Sequence, residues 1–381
     1  MLNNSREQAA QDAAKPVPPY YVKGLALGVT AYLVGIHFWT WIYLLPTLLG
    51  GHADFRQLYT AGSMVRSGYA QQLYDFDAQL HFQRLLVGPG DVPLPFNRPA
   101  FEALLFVLDN LAAVHPGLPV AVFAGFLPLA AALMQGQDSI LLLTLLTMAM
   151  VLLERGRDFG AGLLVGLGLF KLQIVLPLVV LFLVWRRWRF SAGFLITALA
   201  TTLLSVWVVG SLQARAYARA LFLGSTGSVS WENQFRYPMP VTEMANLHGL
   251  IFGGCVAFAR AANTRISGFF VQAATVSVSA LVLGAVAMLT LRGRRGSDDL
   301  LVAITVSALV SYYLLIHDLS ILFLPVVITM SRYLPAEATG DRTGRRLVRA
   351  AALMFAAPIC FSYIPFYFYV VAVPALAFTR T

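Results

Sequence analysis

The sequence predicts an all-α polytopic membrane protein, and three observations predict it. Of its 381 residues, 58% are hydrophobic and 12% charged, against about 45–50% and about 25% in soluble domains. Mean hydropathy is +0.71. Apolar runs recur along the chain, each near the ~20 residues that a membrane-crossing helix needs. They do not alternate as strands of an outer-membrane barrel do. A soluble globular enzyme, a disordered chain and a fibrous chain are excluded.

The net charge of +9 sits between apolar runs, so it reads as a topology signal and not as nucleic-acid binding. The only two cysteines, Cys255 and Cys360, lie in apolar stretches, which speaks against a disulfide framework or a metal cluster. Residues 1–23 read as a polar cytoplasmic tail carrying Lys15 and Lys23. Residues 24–378 read as one transmembrane domain with large outer loops at 50–98 and 211–248. About ten to twelve membrane segments are expected at this length.

Each run is placed by its basic flanks. The first span, 24–49, leads to the outer loop, where Leu58, Leu73, Leu80 and Phe82 have helical spacing suited to interfacial helices. Spans over 99–114, 118–134 and 139–153 follow. Arg155 and Arg157 then mark the cytoplasmic side, and so do Arg186, Arg187 and Arg189. Only 159–185 separates these clusters, with Lys171 at its centre. If both clusters lie on one side, the economical solution is a hairpin of two short helices, its outer tip at Lys171-Leu172-Gln173; a single span is the alternative and strands one cluster outside. A span at 190–210, a short interfacial or re-entrant piece at 249–258, and spans at 267–291, 300–316 and 319–333 complete the pattern. A basic loop ending at Arg345-Arg346 precedes the last run, 347–378, which Pro358, Pro365 and Pro374 interrupt.

Ionisable groups at membrane depth are costly and mark function by default. In this topology they gather on the outer side, in five loops far apart in sequence: His52 and Asp54, Asn97 and Arg98, Gln137 and Asp138, Lys171, His317 and Asp318. A carboxylate near an acceptor hydroxyl can take its proton as the oxygen attacks. Arg98 and Lys171 can neutralise a phosphate. Together these suggest group transfer from a lipid-linked phosphate donor. Asp138 reads as an N-cap of the helix that follows. Trp231-Glu232-Asn233-Gln234, Arg236-Tyr237 and Glu243-Met244-Ala245-Asn246, in the second outer loop, read either as acceptor-sugar contacts or as an exposed loop. No phosphate-binding glycine loop, His-Glu-x-x-His or Gly-x-Ser-x-Gly occurs.

Asp54-Phe55-Arg56-Gln57-Leu58-Tyr59-Thr60-Ala61-Gly62, with Gly68 and Leu73-Tyr74-Asp75, resembles the opening signature of glycosyltransferase family 87. So do Phe96-Asn97-Arg98-Pro99, Gly136-Gln137-Asp138, Ala161-Gly162 with Gly166 and Lys171, Arg186-Arg187-Trp188, and His317-Asp318 leading to Pro325. Where many members carry Tyr-Pro-Pro, this chain has Asn97-Arg98-Pro99. The similarity runs over roughly residues 24 to 335.

The resemblance implies the helical type C glycosyltransferase fold and a polyprenyl-phosphate sugar donor, mannose-like, used in glycolipid or cell-envelope synthesis. It implies inversion by direct displacement, with Asp54 as the general base. It implies neither a nucleotide cofactor nor a metal. Lys171, His317 and Arg98 are then the expected donor-phosphate contacts, and Gln137, Asn97, Tyr59 and Asp318 the expected substrate contacts. The partners expected are the donor, a lipid or glycan acceptor and membrane lipids, in a bacterial inner membrane with the site facing outward. The rival readings are a transporter or flippase of lipid-linked sugars, which needs no general base, and a membrane scaffold. Transporter folds often show internal repeats, and none is visible here.

Overall fold

The computed structural model describes residues 62–72, 126–134, 137–215, 244–264, 266–290, 296–337 and 342–356, with a few isolated positions besides. Among the described residues all regular structure is helical, as an all-α membrane protein requires. The helices are α1 Leu127–Met134, α2 Ser139–Glu154, α3 Asp158–Leu167, α4 Leu172–Val184, α5 Trp188–Val209, α6 Leu247–Ala261, α7 Gly268–Thr290, α8 Asp298–Val310, α9 Phe323–Glu337 and α10 Arg342–Ala356. Short 3-10 turns at Gly168–Lys171 and Asp318–Leu322 lead into α4 and α9.

Among the described residues, three stretches are long and apolar enough to cross a membrane: Asp158–Val184, Trp188–Val209 and Gly268–Thr290. The first does not cross. Arg187, just past its C-terminal end, bonds both carboxylate oxygens of Asp158 at its N-terminal end, at 2.9 and 2.8 Å. Both ends of the stretch therefore meet, and the chain turns back at Gly168–Lys171. This is the hairpin that the two flanking arginine clusters demand, with Lys171 at its apex.

The arginine end is tied together by ion pairs. Arg187 also reaches Asp299 at 3.0 Å, at the start of α8. Arg332 of α9 pairs with Glu154 at the end of α2, at 2.8 Å, and with Asp298. Burial opposes the charge on Arg187, but Asp158 and Asp299 outweigh it and hold its pKa above the ordinary arginine value. Beyond this network Arg155, Arg157, Arg186 and Arg189 are exposed, as is Trp188. Charge outside and ion pairs inside suit a membrane–water boundary.

Two turns at this end have the same form. Gly156 and Arg186 both take the left-handed conformation, φ 69° and 58°. Each is followed by an N–H that bonds five residues back: Arg157 to Leu152 and Arg187 to Phe182. This is the Schellman ending, in which glycine suffers no penalty and a residue with a Cβ does. Replacing Arg186 with Gly is therefore expected to stabilise the protein by about 1 kcal/mol, read as a rise of the thermal midpoint in detergent.

α3 and α5 run side by side in the same direction, close enough that glycines alone fit between them. A Cβ on Gly162 would lie 2.0 Å from the Phe190 carbonyl oxygen, and one on Gly193 would lie 2.2 Å from that of Phe159. Near the arginine end Phe182 stacks on Phe190 and meets Trp185 edge-on, while Trp185 donates to Thr290 Oγ1 at the end of α7. α4 carries Pro177, which removes the helical partner of the Gln173 carbonyl near the apex. A neighbouring helix tolerates such a break inside a membrane bundle.

Two sequence expectations change. Arg342–Arg346 belong to the first turns of α10 and not to a loop. Arg346, Arg349 and Leu353 lie on its exposed face, while Leu347, Ala350, Ala351 and Met354 are buried. The apolar spacing of the last run extends further back than its arginines suggested. Likewise α8 stops at Val310, and 311–317 run as irregular chain.

Candidate functional site

The inner helices are short, and that fixes where the site lies. α2 has 16 residues, α4 and α8 13 each, and α3 10 followed by a four-residue 3-10 turn. At 1.5 Å per α-residue and 2.0 Å per 3-10 residue these reach about 20–24 Å from the arginine end. A hydrocarbon core is ~30 Å thick. The flanking helices α5 and α7, of 22 and 23 residues, reach the full depth. The inner helices thus end in a polar layer recessed below the far boundary.

Lys171 is at the centre of that layer. Its Nζ lies 2.7 Å from Asp318 Oδ1 and 2.8 Å from Asp138 Oδ1. Ser139 Oγ donates to the same Asp318 oxygen at 2.8 Å, and the Leu315 N–H donates to Asp318 Oδ2 at 3.2 Å. His317 Nε2 lies 3.7 Å from Asp318 Oδ2. The Asp318 side chain is wholly buried, that of Lys171 is 10% exposed and that of Asp138 25%. A buried carboxylate is tolerable only when paired and hydrogen-bonded, and Asp318 has both kinds of partner.

A second polar pair adjoins the first. Asn246 caps α6, its side-chain oxygen accepting from the Gly249 N–H at 2.9 Å, and it donates to the Ser311 carbonyl at 2.8 Å. His248 Nδ1 is 2.9 Å from the Tyr312 carbonyl, and the two rings stack at 4.6 Å. Residues 311–318 are thus held from α6 on one side and from the hairpin apex on the other.

The helix directions add an electrostatic feature. α2, α4, α6 and the Asp318–Leu322 turn all begin at this layer. Each α-helix N-terminus presents unpaired N–H groups and roughly half a positive charge, and such ends bind phosphate and carboxylate groups. Several of them facing one recessed layer favour negative charge there. Single side chains do not reveal this feature in a sequence.

Of the residues expected at the site, the structure brings together Lys171, His317 and Asp318, with Gln137 buried one residue before Asp138. Asp54, Tyr59, Asn97 and Arg98 lie outside the described residues. Asp138 does stand at the N-cap of α2, but its side chain makes no capping bond and pairs with Lys171 instead. Ser139 was not singled out in the sequence, because a serine opening an apolar helix looks like any helix start. Asn246 is fully buried as a cap and is not an exposed loop residue.

Fold and site together define a helical membrane protein with a buried ionic cluster where several inner helices begin. The family model of glycosyltransferase family 87 matches residues 99–317, more than half of the chain, and the protein belongs to that family. It is a membrane glycosyltransferase. The match includes Gln137, Asp138, Lys171 and His317 and begins after Asp54. No curated protein and no solved structure matches the chain.

Proposed function

We propose that the protein transfers a mannose-like sugar from a polyprenyl-phosphate donor to a hydroxyl of a lipid or glycan acceptor, with inversion, at the outer face of a bacterial inner membrane. The observation that carries this reading is the recessed layer, where helix N-termini and an ionic cluster meet several ångströms below one membrane boundary. A donor with a membrane-soluble tail brings its phosphate to that depth by lateral entry. A nucleotide sugar would have to leave water to reach it. The exposed arginines at the opposite end favour the cytoplasm for that end, which leaves the layer facing outward.

In the reaction the acceptor oxygen attacks the anomeric carbon as the bond to the phosphate oxygen breaks. Asp54 takes the hydroxyl proton, and the phosphate leaves with the bonding electrons. Helix N–H groups, His317 and Arg98 stabilise the charge that grows on it. Gln137, Asn97 and Tyr59 are proposed to orient the sugar.

The test is transfer of labelled sugar by the purified protein from polyprenyl-phosphate donors to a panel of lipid and glycan acceptors. Transfer is expected from a polyprenyl-phosphate sugar and not from a nucleotide sugar. Movement of labelled donor across sealed vesicles without any transfer would replace the enzyme by a flippase.

A further inference from the structure

We propose that Lys171 is a positioning residue for the donor phosphate and not one of its ligands, an inference that rests on the polyprenyl-phosphate reading above. The sequence points to Lys171 as a phosphate ligand because a cation in mid-run is expensive. The structure supplies another reason for that cation. An ammonium has three N–H donors, and this one stands within 2.8 Å of two carboxylates. One positive charge between two negative ones leaves the trio with a net negative charge. Lys171 therefore brings no surplus positive charge to a phosphate, and the attraction has to come from the helix N-termini with His317 and Arg98.

Its position shows what the lysine does instead. Asp138 opens α2, Lys171 ends the turn at the hairpin apex, and Asp318 opens the turn into α9. One ammonium joins three segments separated by up to 180 residues in the sequence. Through Asp318 it fixes the Leu315 N–H and the carboxylate beside His317. Without it, two carboxylates face each other in a poorly solvated layer, and the net charge opposing a phosphate doubles.

Charge compensation and direct ligation predict different behaviour. Lys171→Met removes the cation. Adding Asp138→Asn to it returns the layer to its original net charge but restores no ligand. The probe is a C55 polyprenyl phosphate without sugar, titrated into the purified full-length protein, with thermal midpoints measured alongside.

Lys171→Met is expected to raise the Kd at least tenfold and to lower the midpoint by about 5 °C or more. The double variant is expected to bring the Kd back within threefold of wild type and to recover most of the midpoint. A Kd that stays raised in the double variant while the midpoint recovers makes Lys171 a ligand and overturns the proposal. An unchanged Kd in the single variant overturns it as well. If Lys171→Met does not fold, the double variant alone decides between the threefold and tenfold outcomes. Wild-type protein that binds no polyprenyl phosphate would refute the donor reading itself, and the positioning role with it.

Discussion

Replacing Asp54 with Asn is expected to lower sugar transfer by about 10²–10⁴, the usual worth of a positioned general base, while polyprenyl phosphate binds as before. Asn keeps the shape and the hydrogen-bonding reach of Asp but cannot accept the hydroxyl proton. The acceptor would have to lose that proton to water in the same step in which its oxygen attacks. In the proposed mechanism Asp54 acts on the acceptor hydroxyl and not on the donor phosphate, so the Kd for polyprenyl phosphate separates loss of chemistry from loss of fold. A transfer rate within threefold of wild type would remove Asp54 from the mechanism and leave the enzyme without an assigned base.

A second large effect is expected at the contact between α3 and α5. Gly193→Leu puts a side chain where the Cβ alone meets the Phe159 carbonyl oxygen at 2.2 Å and the Leu163 nitrogen at 3.0 Å. Both are backbone atoms, so no rotamer change relieves the clash and the two helices must separate. Overpacking a core costs about 1–3 kcal/mol and occasionally more, and here it also pulls on the hairpin that carries Lys171. Loss of monodisperse protein in detergent is expected. Gly284→Ala on α7 is the control: nothing lies within 4 Å of its Cβ, and a helical alanine gains up to about 1 kcal/mol over glycine. A Gly193→Leu protein that purified and melted like wild type would mean that α3 and α5 are not in contact.

Much of the fold was legible because its signals are local. Apolar runs bounded by arginines set the helices, and two arginine clusters with one run between them favour the hairpin over a single span. Helix ends were less legible. The arginines of α10 read as loop because charge masked a helical spacing that begins at Arg342. The site was legible in its residue types and not in its pairings. Lys171, Asp138 and Asp318 each stand out, but nothing within one segment says that a lysine will meet carboxylates 33 residues before it and 147 residues after it. The sequence therefore offered a lone cation and a cap where the structure has a closed trio. The concentration of helix N-termini was invisible for another reason: it depends on where helices start in space, and no residue type encodes that.

The ion network at the arginine end also bears on how the chain is made. Arg187 has Asp158 within the hairpin itself, but its second carboxylate, Asp299, lies 112 residues downstream. At roughly 5–20 residues per second, synthesis leaves that arginine half-paired for about 6–20 s. Glu154 waits longer still, because Arg332 is 178 residues away. During that interval the hairpin packs on α2, already made, and on α5, the next helix to emerge. Packing on α2 and the close approach at Gly162 and Gly193 are thus in place before the charges that lock the finished protein have been translated.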